Sequence, residues 1–175
     1  MSQPPKLRVG ISACLLGEDV RYDGGNRFNS AIHQSFNHRV EWVVVCPEVD
    51  AGLGIPRETI HLVGSPKTPR VETTESRIDL TEQLVEHCRA RVQTLHQAGL
   101  AGFILKARSP SCGTRGSVTS YEGSVEAHGE GVFVSALKSQ LPGLPIVNED
   151  ELTTQADQDR FLQAMLAYVA ANANP

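Results

Sequence analysis

The sequence predicts a three-layer α/β domain, a mainly parallel sheet of about four strands with helices on both faces. Three observations predict it. Short β-prone runs alternate along the chain with longer segments whose apolar residues recur at helical spacing. The run Glu41-Trp42-Val43-Val44-Val45 is apolar without alternation after its first residue, as in a strand covered on both faces. The chain has 175 residues, 40% hydrophobic and 21% charged, which suits one folded domain over residues 1–175 with a sizeable core. The expected arrangement is Rossmann-like.

The elements follow in order. Lys6 to Ser12 reads as the first strand, with Leu7, Val9 and Ile11 alternating. A loop rich in Gly and Asp runs from Gly17 to Asn26, and Asn29 to Asn37 forms a short helix. Glu41 to Val45 is the second strand. Pro47 to Thr74 reads as irregular, broken by Gly and Pro, with strand-like pieces at Thr59 to Val63 and Arg70 to Thr73 that can pair as a hairpin. Asp79 or Thr81 starts a helix reaching about Ala98. Its stripe is Leu80, Leu84, Val85, Cys88, Val92 and Leu95, and Gly99 is placed to end it. Ala101 to Leu105 is the third strand. A polar, glycine-rich excursion from Gly113 to Gly131 has one strand-like patch, Val118 to Tyr121. Val132 to Leu141 is a helix, Leu144 to Val147 the fourth strand, and Thr153 to Asn172 the closing helix, after which the last residues are expected to fray.

The formal net charge of −4 argues against general nucleic-acid binding or a membrane-surface partner. No apolar run approaches the roughly 20 residues of a membrane span. Met1 to Pro5 lacks a charged-then-apolar signal pattern, so the expected location is cytoplasmic. In that compartment the four cysteines are expected as reduced thiols, not disulfides.

Three of those cysteines share a context. Cys14, Cys46 and Cys112 each follow the carboxyl end of a predicted strand, in loops bordered by Gly or Pro. Ligands of such sheets collect beyond the carboxyl ends of the strands, near the point where strand order reverses. If the strands are neighbours, the three thiols meet on one rim. Three converging cysteines suit a [4Fe-4S] cluster with one iron left open. A structural zinc asks for a fourth ligand and a local Cys-x-x-Cys pair; His33, His38, His61 and His128 are the histidines weighed for it, and none lies in a strand-end loop. The bland alternative is unconnected core thiols. Cys88, mid-helix on the apolar stripe, is assigned to the core.

Glu48, two residues after Cys46 in Cys-Pro-Glu, is the acid/base candidate, because Pro47 fixes the backbone that holds its carboxylate near the thiols. Ser109 is a candidate donor to a bound ligand, against a turn serine bonding its own backbone, and Ser111 is a second case of the same kind. Lys106, Arg108, Arg115, Arg21 and Arg27 are expected to make the pocket mouth positive and to hold the thiols ionised. No spaced dinucleotide fingerprint or phosphate-loop lysine motif appears.

Five stretches carry a family likeness: Val9-Gly10-Ile11-Ser12-Ala13-Cys14-Leu15-Leu16-Gly17, Val20-Arg21-Tyr22-Asp23-Gly24, Cys46-Pro47-Glu48, Gly52-Leu53-Gly54-Ile55-Pro56-Arg57, and Leu105-Lys106-Ala107-Arg108-Ser109-Pro110-Ser111-Cys112-Gly113. Together, from about Lys6 to Asn148, they resemble the thiouracil desulfidase family, long catalogued as a domain of unknown function. The resemblance implies a [4Fe-4S] cluster on Cys14, Cys46 and Cys112, and a non-redox reaction. In it the sulfur of a thiolated pyrimidine, as free base or nucleoside, binds the open iron; water replaces that sulfur, leaving uracil and sulfide. It also implies Glu48 as the proton-transfer residue and Ser109 as its assistant. Ser12, Arg21, Tyr22, Lys106 and Ser111 are the candidate substrate-binding residues. Two other readings compete: an iron-sulfur or sulfide-binding module without catalysis, and a cysteine-nucleophile enzyme using Cys112 with a histidine.

Overall fold

In the computed structural model, which describes residues 6–119 and 125–173, one parallel sheet organises the chain. Residues 1–5, Ser120 and Tyr121 of the predicted strand-like patch, and residues 174–175 of the fraying tail lie outside the described residues.

The sheet is built from β1 (Leu7–Ser12), β2 (Val40–Val45), β5 (Gly102–Leu105) and β8 (Ile146–Asn148), all parallel, in the order β2-β1-β5-β8. The predicted strands therefore exist within one or two residues and are neighbours. Side chains alternate across the sheet. Val9, Ile11 and Ile104 face α1 (Ser30–Phe36) and α5 (Gln155–Asn172), packing with Ile32, Phe36, Phe161 and Met165. Val45, Phe103 and Leu105 face α3 (Thr81–Gln97) and α4 (Val132–Gln140), packing with Leu84, Val92, Phe133 and Leu137. Each fully buried Leu, Ile or Phe here stabilises the fold by roughly 1.5–3 kcal/mol. Cys88 lies in this second core, as the helical stripe predicts.

One glycine lets the central pair of strands pack. A Cβ on Gly10 would sit 2.2 Å from the Phe103 ring, which instead lies over β1 and meets Phe133 edge-on with centroids 5.3 Å apart.

The helix ends follow their local chemistry. Asn29 caps α1 by accepting from Ile32 N–H at 3.1 Å. Thr154 and Asp157 form a reciprocal capping box at the start of α5. Beyond α3, Gly99 takes φ +68.

The sequence reading fell short in the stretch it took as irregular and in the glycine-rich excursion. A one-turn helix, α2 (Pro47–Asp50), opens directly after β2. Further on, β3 (Ile60–Ser65) and β4 (Thr68–Thr73) form the anticipated hairpin. With β6 (Gly116–Thr119) and β7 (Val125–Gly129) they make a second, mixed sheet in the order β4-β3-β6-β7. Leu62, Val71 and Val118 join this sheet to the core beneath α3 and α4. Among the described residues no helix is long and apolar enough to cross a membrane.

Candidate metal centre and active site

From β1 the chain moves outward on one side to β2 and later returns to the other side as β5, so strand order reverses between β1 and β5. A crevice at such a point opens beyond the carboxyl ends of the strands. Cys14 lies in the 3-10 turn that follows β1, Cys46 is the N-cap of α2 after β2, and Cys112 lies on the loop after β5. All three line one cleft of about 330 Å³, together with Ser12, Arg21, Tyr22, Glu48, Lys106, Ser109 and Ser111. The structure thus gathers every candidate site residue into one place. Arg27 and Arg108 also line the cleft, whereas Arg115 is exposed and not among its lining residues.

The Cys112 loop is shaped by close backbone approaches. Ser109 Oγ accepts from the Cys112 N–H at 3.1 Å, and Gly113 N–H donates to the Ser109 carbonyl at 2.8 Å. Ser109 thus holds its own loop as a turn serine does, and its Oγ also lies 3.1 Å from Ser111 Oγ. Arg108 takes φ +58, a left-handed conformation that costs a non-glycine residue roughly 1–3 kcal/mol and clusters at functional loops. The amino end of α4 grips the loop from behind. Gly131 N–H donates to the Gly113 carbonyl at 2.9 Å and Phe133 N–H to the Ser111 carbonyl at 3.0 Å, filling two of the donors a helix start leaves open.

Glu48 projects from α2 and has both oxygens engaged. Ser111 Oγ donates to Oε1 at 2.7 Å, while Arg57 donates to Oε2 from Nη2 at 2.7 Å and from Nε at 2.9 Å. Ser111, 1% exposed, also lies 3.7 Å from Cys112 Sγ, so it is the serine that touches both the carboxylate and a thiol. Ser12 Oγ accepts from Lys106 N–H at 2.9 Å. Lys106 Nζ pairs with Glu149, whose other oxygen accepts from Ala107 N–H. Arg21 stands 5.2 Å over the Tyr22 ring and 3.6 Å from Asp23 Oδ1. Sequence reasoning missed Arg57 as a site residue and Glu149 altogether. The available signals were Pro-Arg nine residues after Glu48 and an acidic turn directly after the fourth strand.

Without a bound metal, burial outweighs the cleft cations at the thiols. Burial pushes Cys14 up to about 11, reinforced by the neighbouring Cys46 thiol and only partly offset by Lys106 and Arg21. Burial likewise raises Cys46, against backbone N–H groups at the start of α2, and raises Cys112 strongly, against the hydroxyls of Ser111 and Ser12. The reason is physical: two of the cleft cations are neutralised by Glu48 and Glu149, and desolvation outweighs the rest. A buried thiol so shifted is a poor nucleophile, which disfavours the cysteine-nucleophile reading.

The donor set fits an iron-sulfur group. Cys14, Cys46 and Cys112 are free thiols on a shared cleft that, among the described residues, no histidine lines, and soft sulfur-only sites select iron-sulfur clusters over hard cations. Among the described residues no three His, Cys, Asp or Glu side chains are grouped as ligands of a single metal ion.

Comparison with known proteins gives the chain a family. The chain matches the 2-thiouracil desulfurase family over residues 9–149, a span holding all three thiols and Glu48. It is similar to the uncharacterized protein YbbK of Bacillus subtilis (strain 168), 27% identical over 148 residues, covering 81% of this chain and 95% of that protein. It is also similar to the solved [4Fe-4S]-dependent thiouracil desulfidase TudS, at 30% identity and a TM-score of 0.69, covering 93% of this chain and 99% of that one. With most of its length matched and the motif residues gathered in one cleft, the chain belongs to the 2-thiouracil desulfurase family.

Proposed function

We propose that this chain is a [4Fe-4S]-dependent desulfidase that converts a thiolated pyrimidine, as base or nucleoside, to its oxo form. The balance is a thiocarbonyl plus water giving a carbonyl plus hydrogen sulfide, with no net change of oxidation state. Cys14, Cys46 and Cys112 would hold the cluster. When bound, it supplies an iron with an open position, a Lewis acid toward the thiocarbonyl sulfur.

The chain's own residues supply the rest. Glu48 takes a proton from the water that attacks the ring carbon and returns it to the leaving sulfur; a positioned general base contributes roughly 100- to 10,000-fold. Ser111, hydrogen-bonded to Glu48 Oε1, relays or orients that proton, and Ser109 keeps the Cys112 loop in shape. Ser12, Arg21, Tyr22 and Lys106 wall the space left for the base, with the Tyr22 ring, 40% exposed, at its edge.

The observation that carries this reading is the meeting of three free thiols with Glu48 in one cleft at the strand-order reversal. Its test is Glu48→Gln, assayed anaerobically by sulfide release from 4-thiouracil. The expected result is turnover reduced roughly 100- to 10,000-fold with iron content unchanged. Unchanged turnover would remove Glu48 from the chemistry, and no turnover in loaded wild type on any thiolated pyrimidine would favour a non-catalytic iron-sulfur or sulfide-binding module.

A further inference from the structure

We infer that Arg57 is the positioning residue that aims Glu48, an inference that rests on the proton-transfer role proposed for that carboxylate. Glu48 sits on a helix of a single turn, too short to fix a long side chain by its own packing. The terminal torsion of a glutamate is broad, so nothing intrinsic to the residue points its carboxylate at the cleft. The orientation comes from outside. Two Arg57 donors, Nε and Nη2, close on the single oxygen Oε2, leaving Oε1 to face Ser111 and, through it, the Cys112 loop.

Arg57 is itself held at two further points. Its Nη1 donates to the Gly54 carbonyl at 2.9 Å, and its backbone N–H donates to the Tyr22 carbonyl at 2.9 Å. The second bond ties the arginine to the cleft wall that carries Arg21 and Tyr22, so Glu48 is registered against the space for the base. The pair is shielded, with Arg57 8% and Glu48 14% exposed at the side chain. Of the other cleft cations, Lys106 pairs with Glu149, and Arg21 lies 3.6 Å from Asp23. A planar guanidinium can spread its donors over Oε2 and the Gly54 carbonyl together, which a compact ammonium does not reproduce.

The test uses the cluster-loaded protein, with Arg57→Lys, Arg57→Gln, Glu48→Gln and the Glu48→Gln/Arg57→Gln double variant compared anaerobically for kcat, KM, iron content and melting temperature. A carboxylate misplaced by about an ångström costs roughly 100-fold. Positioning therefore predicts that both Arg57 variants lose about 10- to 100-fold in kcat, with KM and iron near wild type. It also predicts that the double variant is no slower than Glu48→Gln alone. Arg57→Lys keeps the charge beside Glu48 and is the decisive variant should Arg57→Gln fold poorly. Three results overturn the inference: Arg57→Lys within about twofold of wild-type kcat while Glu48→Gln is inactive, a double variant slower than Glu48→Gln by the full Arg57 factor, or iron loss in both Arg57 variants. Full turnover in Glu48→Gln fails the proposed function itself, whatever Arg57 does.

Discussion

Replacing Gly131 by alanine probes how tightly the Cys112 loop is clamped. A Cβ at this position would lie 2.4 Å from the Ser111 carbonyl oxygen, 2.5 Å from its carbon and 2.9 Å from Cys112 N. All three atoms are backbone, so no side chain can swing aside. The φ of Gly131 is −62, open to any residue, so contact alone sets the cost. Relieving it means drawing the amino end of α4 away from the loop, which stretches the Gly131–Gly113 and Phe133–Ser111 hydrogen bonds. Overpacking of this kind costs about 1–3 kcal/mol, and each hydrogen bond about 0.5–1.5 kcal/mol. The expected loss is therefore about 2–6 kcal/mol, out of the roughly 5–15 kcal/mol typical of a domain. At about 2–4 °C per kcal/mol for this size, melting should fall by at least about 4 °C. The variant should also bind less iron, because the displaced loop carries Cys112. Gly143→Ala is the comparison. Its φ of +79 is strained for alanine, yet the nearest atom to a Cβ is 3.9 Å away, so the cost should stay near about 1–2 kcal/mol with iron unchanged. A Gly131→Ala protein that melts within about 2 °C of wild type with full iron would refute the clamp.

Two further outcomes follow from the thiols. Cys88→Ala should lower stability by about 1–2 kcal/mol through a small cavity in the α3 core and leave iron binding intact, whereas alanine at Cys14, Cys46 or Cys112 should abolish stoichiometric iron; iron counts on the four variants decide it. In iron-free protein, burial favours the neutral Cys14 thiol, with its folded value near 11 against an ordinary 9.0. The folded state therefore keeps its proton where the unfolded chain has lost it. Stability should be full below the ordinary thiol range and fall as pH rises from about 9 to about 11, alkylation by iodoacetamide accelerating over the same window. Rapid alkylation near neutral pH would contradict this.

Much of the site was legible because its ligands belong to strands with strong local signatures. Short apolar, β-prone runs define β1, β2 and β5, and a cysteine follows each within a few residues, so the parallel-sheet rule sufficed to bring Cys14, Cys46 and Cys112 to one cleft. The α3 stripe identified Cys88 as core for an equally local reason. What escaped depends on partners far apart or on weak local signals. β3 and β6 pair in parallel across more than fifty residues, and β6, whose Val118 and Thr119 fall in the strand-like patch read from the sequence, is too short to reveal its partner. The Lys106–Glu149 pair spans 43 positions, so the cation read as free is neutralised. The sequence reading put Ser109 ahead of Ser111 as the assistant of Glu48, whereas in the fold Ser109 Oγ accepts from the Cys112 N–H and Ser111 Oγ is the one that donates to Glu48. Arg57 stood in a recognisable Pro-Arg pair, but its aim depends on the return path of the chain through Gly52 and Gly54, both at positive φ.

The central claim is that Cys14, Cys46 and Cys112 jointly hold one cluster at which a thiolated base loses its sulfur. It is tested most directly by an anaerobic absorption spectrum and iron count on wild type beside Cys112→Ala, with sulfide release from 4-thiouracil measured on the same samples. The account predicts brown wild-type protein that releases sulfide, and a colourless, inactive variant. Wild type that stays colourless after reconstitution with iron and sulfide, or a Cys112→Ala protein that keeps the full spectrum and turnover, would contradict it.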